Sequence, residues 1–492
     1  MIRTGVSFST TDRKLQRLYD RAKDTLFDSI KDFGNRKILT DAPNSDTATL
    51  NYTPMVAQTL ADYDTDIAMD SVRAFLVTLR RDGRMPCSLT ARGNNIIPNY
   101  DILTGFCFAE EAVGLCHLVK NKHSSYTKRL YETLCQFDEY LWTRHDLNAN
   151  GCLEIFEEKD AEEGEGAARF MPITMMIGGT ERAVSPFPVE TFDLMGEAYS
   201  IRLALAELAD MLGKKEQAEA WRTKAVSIAE KIRGYLWLGS FNACFDRDYR
   251  GSIISTMTVN NLYLLYHGAA TPMMADAIMK HHILNPKEFW TPMPLPSVAR
   301  NHAAYDSEND NPFRGHPRAT TYRRALRAFE KYRYFSAATA LGEKLLEKVM
   351  DGCVFPTAFD TVTGEPLHTD KQDRYAPTAS AVLEFIKRFY GVYADRDNIC
   401  FGCLGHGSES SEYSFTWGND VYRTLTEGNT ITADINGKRL FTITAGTRVF
   451  TDIYGMSMHV ANVTNEPIDC ICVTRNQTYS LHLEPNEIAK LN

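Results

Sequence analysis

Apolar residues recur every three or four positions along most of this chain, and that spacing predicts helices. The first stripe is Leu15, Leu18, Ala22, Leu26, Ile30 and Phe33, with Thr11 placed to cap it and Gly34 to stop it. Similar stripes span 54–63, 66–79, 106–119 and 126–142, the last marked by Leu130, Leu134, Phe137 and Leu141. Beyond an acidic, glycine-containing gap, 193–212 and 214–236 form an antiparallel pair hinged at Gly213, followed by 259–267, 273–283, 319–332, 335–350 and 377–390. The long connections fall between pairs of helices. Twelve helices joined in this way can close as two concentric rings of six, an (α/α)6 toroid around a central cavity. An open solenoid would show a fixed repeat of about 30 to 45 residues, and none is found.

After Asp395 the period shortens to two, over 413–417, 430–436, 439–444, 456–463, 470–474 and 479–483, with Asn436-Gly437 as a tight hairpin turn. The expected architecture is therefore mainly α, with a barrel over residues 1–395. A small β-sandwich-like domain over 396–492 packs against it and walls one side of the cavity.

Composition narrows the function classes. A net charge of −9 over 492 residues, without a basic patch, argues against nucleic acid. No apolar run approaches the roughly 18 residues that span a bilayer, and MIRTGVSFSTTDRK lacks the apolar core of a signal peptide, so a cytoplasmic protein is expected. Eleven cysteines scattered through helical patterns suit reduced thiols. Cys400, Cys403 and His406, with Cys470 and Cys472, make a weak zinc set, because cysteines two apart on a strand share a face by periodicity alone.

The stretch 289–318, FWTPMPLPSVARNHAAYDSENDNPFRGHPR, is long yet excluded from regular structure by Pro292, Pro294, Pro296, Pro312 and Pro317. Trp290 offers a flat face to the C–H surface of a sugar, and Arg314 offers a hydrogen-bonding fork to its hydroxyls. That composition marks a functional loop carried on a rigid scaffold. A second motif, Asp146-Leu147-Asn148-Ala149-Asn150-Gly151 with Glu157, places oxygen donors at alternate positions around a glycine. Asp146, Asn148, Asn150 and Glu157 are candidate ligands of a structural Ca²⁺, the alternative being an Asx-rich turn.

MPLPSVARNHAAYDSEN, NPFRGHPRATTYRRALRAFEKY, DLMGEAYSIRLALAELADMLGKKEQAEAWRTKA and FDTVTGEPL followed by YAPTASAVLEFI carry a resemblance. They are similar to the six-hairpin glycoside hydrolase clan of trehalases, mannosyl-oligosaccharide glucosidases and mannosylglycerate hydrolases. The resemblance implies an (α/α)6 barrel and inverting hydrolysis of an α-glycosidic bond by a carboxylic acid and a carboxylate about 6.5 to 9.5 Å apart. Aligning Arg169 with the arginine of the family motif E-S-G-x-D-x-S-x-R puts Glu165 at the acid position and makes Arg169 a substrate or carboxylate partner. The family's base position is Thr357, which cannot take a proton at neutral pH. Glu365 is then the expected base, at an offset similar to that in trehalases. Asp41 and Asp46 in TDAPNSD, a segment similar to one in rhamnosidases, and Asp101 are expected sugar contacts.

The reading is a glycosidase acting on a small α-linked sugar or glycoside, with no cofactor needed for its chemistry. Two alternatives stay open: a sugar-binding pseudoenzyme, and a sugar epimerase on the same toroid using histidines among His281, His282, His302 and His316.

Overall fold

The computed structural model describes residues 3–93, 95–103, 108–119, 124–161, 166–177, 180–309, 311–367 and 373–491. Among these residues there are twelve α-helices: α1 Arg13–Asp28, α2 Thr53–Leu60, α3 Thr65–Val77, α4 Phe108–Leu118, α5 Ser125–Arg144, α6 Phe192–Met211, α7 Lys215–Lys231, α8 Asn260–His267, α9 Pro272–Ile278, α10 Ala319–Lys331, α11 Phe335–Met350 and α12 Ala376–Tyr390. Their sequences sort them into two kinds. Every residue of α8 and α12 is buried, and so is all of α2 except Gln58. Only Ala218, Ala225 and Ile228 are buried on α7, whose KEQAEAWRTKAVSIAEK leaves one narrow apolar stripe.

Packing follows from that difference. The even-numbered helices contact one another in sequence, α2 on α4, α4 on α6, α6 on α8, α8 on α10 and α10 on α12, and α12 returns to α2. The odd-numbered helices lean on this closed ring from outside, α7 on α6, α3 on α2 and α1 on α12. Caps agree with local chemistry. Asp12, rather than the expected Thr11, caps α1 by accepting the N–H groups of Lys14 and Leu15; Asp64 caps α3 and Ser124 caps α5.

The ring interior near the C-terminal ends of α2 and α12 holds paired charges. Glu384, 1 % exposed by side chain, accepts Lys387 at 2.8 Å and Thr59 Oγ1 at 2.9 Å and is also paired with Arg388. Lys387 reaches Asp62 at 2.6 Å. Burial alone would raise the Glu384 pKa, but Arg323, Lys387 and Arg388 hold it well below the usual carboxylate range.

Two antiparallel sheets follow the helices. The larger runs Thr4–Thr10, Ser410–Trp417, Asp420–Glu427, Thr430–Ile435, Lys438–Thr444, Ile468–Thr474 and Thr478–Leu483 in spatial order. The smaller runs Val392–Asp395, Asn398–Cys403, Thr447–Asp452, Met458–Asn462 and Ile488–Leu491. Trp417 donates its Nε1–H to Leu118 O at 2.7 Å, and Thr4 Oγ1 donates to Ala61 O at 2.8 Å, so the larger sheet is fastened to the ends of α4 and α2. Gly402 lies so close to the end of α12 that a Cβ would stand 2.3 Å from Arg388 O. Asn436 and Gly437, at φ 53° and 72°, make the expected hairpin turn.

Three features depart from the sequence reading. Ile30 and Phe33 belong to a hairpin, Ile30–Phe33 against Arg36–Leu39, because Gly34 at φ 67° turns a strand rather than stopping a helix. The chain start, Thr4–Thr10, pairs along its whole length with Ser410–Trp417. The expected boundary between 395 and 396 falls in the turn of the hairpin Val392–Asp395/Asn398–Cys403.

Candidate active site

The segments entering the N-terminal ends of the even-numbered helices are tied to one another. Asn260, first in α8, donates to Asp193 in the first turn of α6 at 2.9 Å. Arg318, just before α10, donates to the Tyr52 hydroxyl at the start of α2 at 3.2 Å. The Tyr52 ring meets the edge of Tyr375, the residue before α12, at 5.8 Å, and Asp41 O accepts Ala376 N–H at 2.9 Å. One end of the ring thus gathers polar side chains from widely separated segments.

Arg169 anchors the first cluster. It stands on the short 3-10 turn Ala168–Phe170, bonds Asp193 at 2.7 Å and Asp246 at 2.9 Å, and lies over the Phe170 ring at 4.5 Å. Burial would raise the Asp193 pKa, but Arg169 and Asn260 outweigh it and hold the carboxyl below its ordinary value. Glu197, one turn further along α6, has no such compensation. Burial and the charge of Asp193 push its pKa well up, and its Oε1 has no hydrogen-bond partner. With a side chain 1 % exposed, Arg169 is engaged by the carboxylates of Asp193 and Asp246.

The loop before Arg169 is gripped from the 289–318 segment. Arg314 donates Nε–H to Gly166 O at 2.6 Å and Nη2–H to Met171 Sδ at 3.1 Å, and Gly166 N–H reaches Glu158 at 2.5 Å. Glu165, the expected acid, lies outside the described residues, directly before this gripped glycine. Arg314, an expected sugar contact, is engaged here with the Gly166 carbonyl and the Met171 sulfur.

A second cluster surrounds Arg318, whose guanidinium lies over Phe313 at 4.5 Å. With Asn260, Tyr263, Ser297 and Thr321 these residues line a cleft of about 10 Å³, which is water-sized. Asp41 is joined to the start of α12 by its carbonyl. Its carboxylate accepts Thr49 Oγ1 at 2.5 Å and Thr49 N at 3.1 Å, and burial raises its pKa to about 6.

Other expected residues lie elsewhere. Glu365 is exposed on the turn Asp360–Glu365, whose Gly364 abuts the Lys348 side chain of the outer helix α11, so it is not brought to either cluster. Asp360 stiffens that turn by accepting Val362 and Thr363 N–H at 2.9 and 2.7 Å. Asp101 is exposed, although its loop is docked nearby through Leu103 N–H to Asp160 at 2.8 Å. Trp290 is half-buried and packs on the core.

The four expected calcium ligands do not converge. Asn148 Nδ2 donates to Glu154 and Glu190 at 3.0 and 3.1 Å, Asn150 also donates to Glu190, and their Oδ1 atoms accept Asn150 N–H and Cys152 N–H. Asp146 accepts Gly151 N–H at 3.2 Å, while Glu157 is exposed. Both amides are consumed by an Asx-turn ladder. Among the described residues, no three His, Cys, Asp or Glu side chains are grouped to hold a metal.

Asp193, Asn260, Tyr52 and Tyr375 were not among the candidates, and Arg318 was named only as part of the 289–318 stretch. Each occupies the position just before, or in, the first turn of an even-numbered helix, and that shared position was the available signal.

A closed helical ring with polar clusters at one end, carried beside antiparallel sheets, is the scaffold of a glycosidase. The chain belongs to the mannosylglycerate hydrolase MGH1-like glycoside hydrolase domain family, whose model matches residues 48–374. Among solved structures it is similar to the GH63 mannosylglycerate hydrolase from Thermus thermophilus in complex with glucose, at 16% identity and a TM-score of 0.59, covering 74% of this chain and 99% of that one. It is also similar to a sialidase, at 14% identity and a TM-score of 0.69 over 91% of this chain and 41% of that one. The neutral trehalase from Saccharomyces cerevisiae aligns at 13% identity and a TM-score of 0.56, over 76% and 79% of the two chains. At these identities the likeness is one of fold. No helix among the described residues is long and apolar enough to cross a membrane.

Proposed function

We propose that this glycosidase is an (α/α)6 toroid that hydrolyses an α-glycosidic bond of a small carbohydrate with inversion, using Glu165 as the acid. Asp41, in place of Glu365, is the second carboxylate. The mouth is the end of the ring where the even-numbered helices begin. The carrying observation is the pair of arginine clamps. Arg169, fixed between Asp193 and Asp246, and Arg314, on Gly166 O, fix the chain that directly follows the acidic run, at the end of the ring that carries Arg318, Tyr52 and Tyr375.

Asp41 suits the base for a physical reason. A carboxyl titrating at about 6 is ionised at neutral pH yet basic enough to accept a proton from water. Thr49 fixes its orientation and occupies one lone pair on each oxygen, so acceptor capacity remains. The 289–318 segment packs down on the ring, burying Phe289, Met293, Leu295 and Val298, which favours a small substrate over a long polymer. The test is turnover of α-linked disaccharides and nitrophenyl α-glycosides by wild type, Glu165→Gln, Asp41→Asn and Glu365→Gln. Loss of activity in the first two and retention in the third is expected. Loss with Glu365→Gln alone would overturn the assignment.

A further inference from the structure

We propose a second ligand site, at the seam between the helical ring and the sheets, that binds a phosphorylated small molecule of sugar-phosphate size. A hollow of about 520 Å³ opens between the end of α10, the start of α11 and the strands of the smaller sheet. That volume is within the range of small-molecule sites. It lies at the opposite end of α10 from Arg318 and owes nothing to the mouth.

Charge identifies its ligand. Six cations line the hollow, Arg327, Lys331, Arg333, Arg396, Arg448 and Lys490, against three carboxylates, Glu110, Glu330 and Asp395, in a chain whose net charge is −9. Three of the cations are already engaged: Lys331 with Glu110 at 2.9 Å, Arg448 with Glu330 at 2.5 Å and Arg396 with Glu207 at 3.1 Å. Lys331 also caps α8 by donating to Tyr266 O at 2.6 Å, an ordinary task for a cation near a helix C-terminus.

Arg327 donates to the amide oxygen of Gln58 at 2.8 Å and is balanced through space by Glu384, Asp395 and Glu330. Among the described residues no carboxylate is within ion-pair distance of the exposed Arg333 or Lys490, so both are open to a ligand. Arg333 is the left-handed residue (φ 63°) that ends α10, with Tyr334 N–H bonding Phe329 O at 2.8 Å, and its side chain is exposed. Arg448 is 1 % exposed by side chain and is held in the lining of the hollow by Glu330. A phosphate monoester, with close to two negative charges and three acceptor oxygens, complements this surplus, and guanidinium forks match its geometry. Phe335 and Phe450, with ring centroids 5.9 Å apart, and Tyr393 provide an apolar wall for the carbon skeleton.

Glucose 6-phosphate and glucose are the probes, titrated calorimetrically into the full-length protein at constant ionic strength. A companion protein carries Arg333→Gln and Lys490→Gln; both side chains are exposed and outside the proposed catalytic machinery, so folding and basal hydrolase activity are expected to be unchanged. The expected result is saturable binding of glucose 6-phosphate that weakens at least about tenfold in the double variant, falls with added salt, and leaves any binding of glucose unaltered. Absence of saturable binding, or equal binding by the double variant, would overturn the proposal.

Discussion

Replacing Arg169 by Gln tests the clamp beneath the proposed acidic loop. The substitution leaves Asp193 and Asp246, 7% and 3% exposed by side chain, without their shared cation. Removing one partner of a buried ion pair costs about 3–5 kcal/mol, because the remaining charge stays buried and uncompensated. Unfolding entropy of about 2.1 cal/mol/K per residue, summed over 492 residues, is about 1 kcal/mol/K, so the melting temperature is expected to fall by ~3–5 °C if the chain unfolds as one unit. Scanning calorimetry at pH 7.5 measures it. Adding Asp193→Asn, which removes one of the stranded charges, is expected to recover part of the loss. Sign and pH window follow from Asp193, whose folded pKa lies below its ordinary value. Its contribution is present above about 3.9 and is lost as pH falls through the folded value, so the gap between wild type and Arg169→Gln narrows in acid. An unchanged melting temperature in the single variant, or strictly additive losses in the double, would refute the reasoning.

Other expectations are shorter. If Asp41 is the base, kcat/KM rises with pH through about 6; a flat profile there contradicts the role. Glu197, held neutral by burial, opposes folding wherever the unfolded carboxyl ionises and the folded one does not. Glu197→Gln should therefore raise the melting temperature at pH 7 and have little effect near pH 4. Arg314→Met, which loosens Gly166, is expected to lower kcat/KM about tenfold or more with little change in stability. Deleting residues 1–10 exposes the edge of Ser410–Trp417, and light scattering should show aggregation that the full chain lacks.

The helical half of the fold was legible because its signal is periodic. Leu130, Leu134, Phe137 and Leu141 mark α5 without tertiary information, and all four are buried. Where partners are remote the sequence was silent. No element was assigned to Thr4–Thr10, whose edge strand exists only because Ser410–Trp417 lies beside it. The resemblance to a six-hairpin glycosidase singled out the acidic loop and Arg169 as candidates. It also singled out Glu365, but an offset counted along the chain takes no account of the local turn, which buries Thr361 and leaves Glu365 exposed. The Asp146 loop matched a calcium pattern by residue type, but donor direction decides coordination, and its amides donate to Glu154 and Glu190.

Proton NMR of the sugar released from an α-linked disaccharide, followed from the first minute with wild type, Glu165→Gln and Asp41→Asn, tests the central claim most directly. The account predicts that the β-anomer appears first with wild type and that neither variant releases sugar. First appearance of the α-anomer, or undiminished release by both variants, would contradict it.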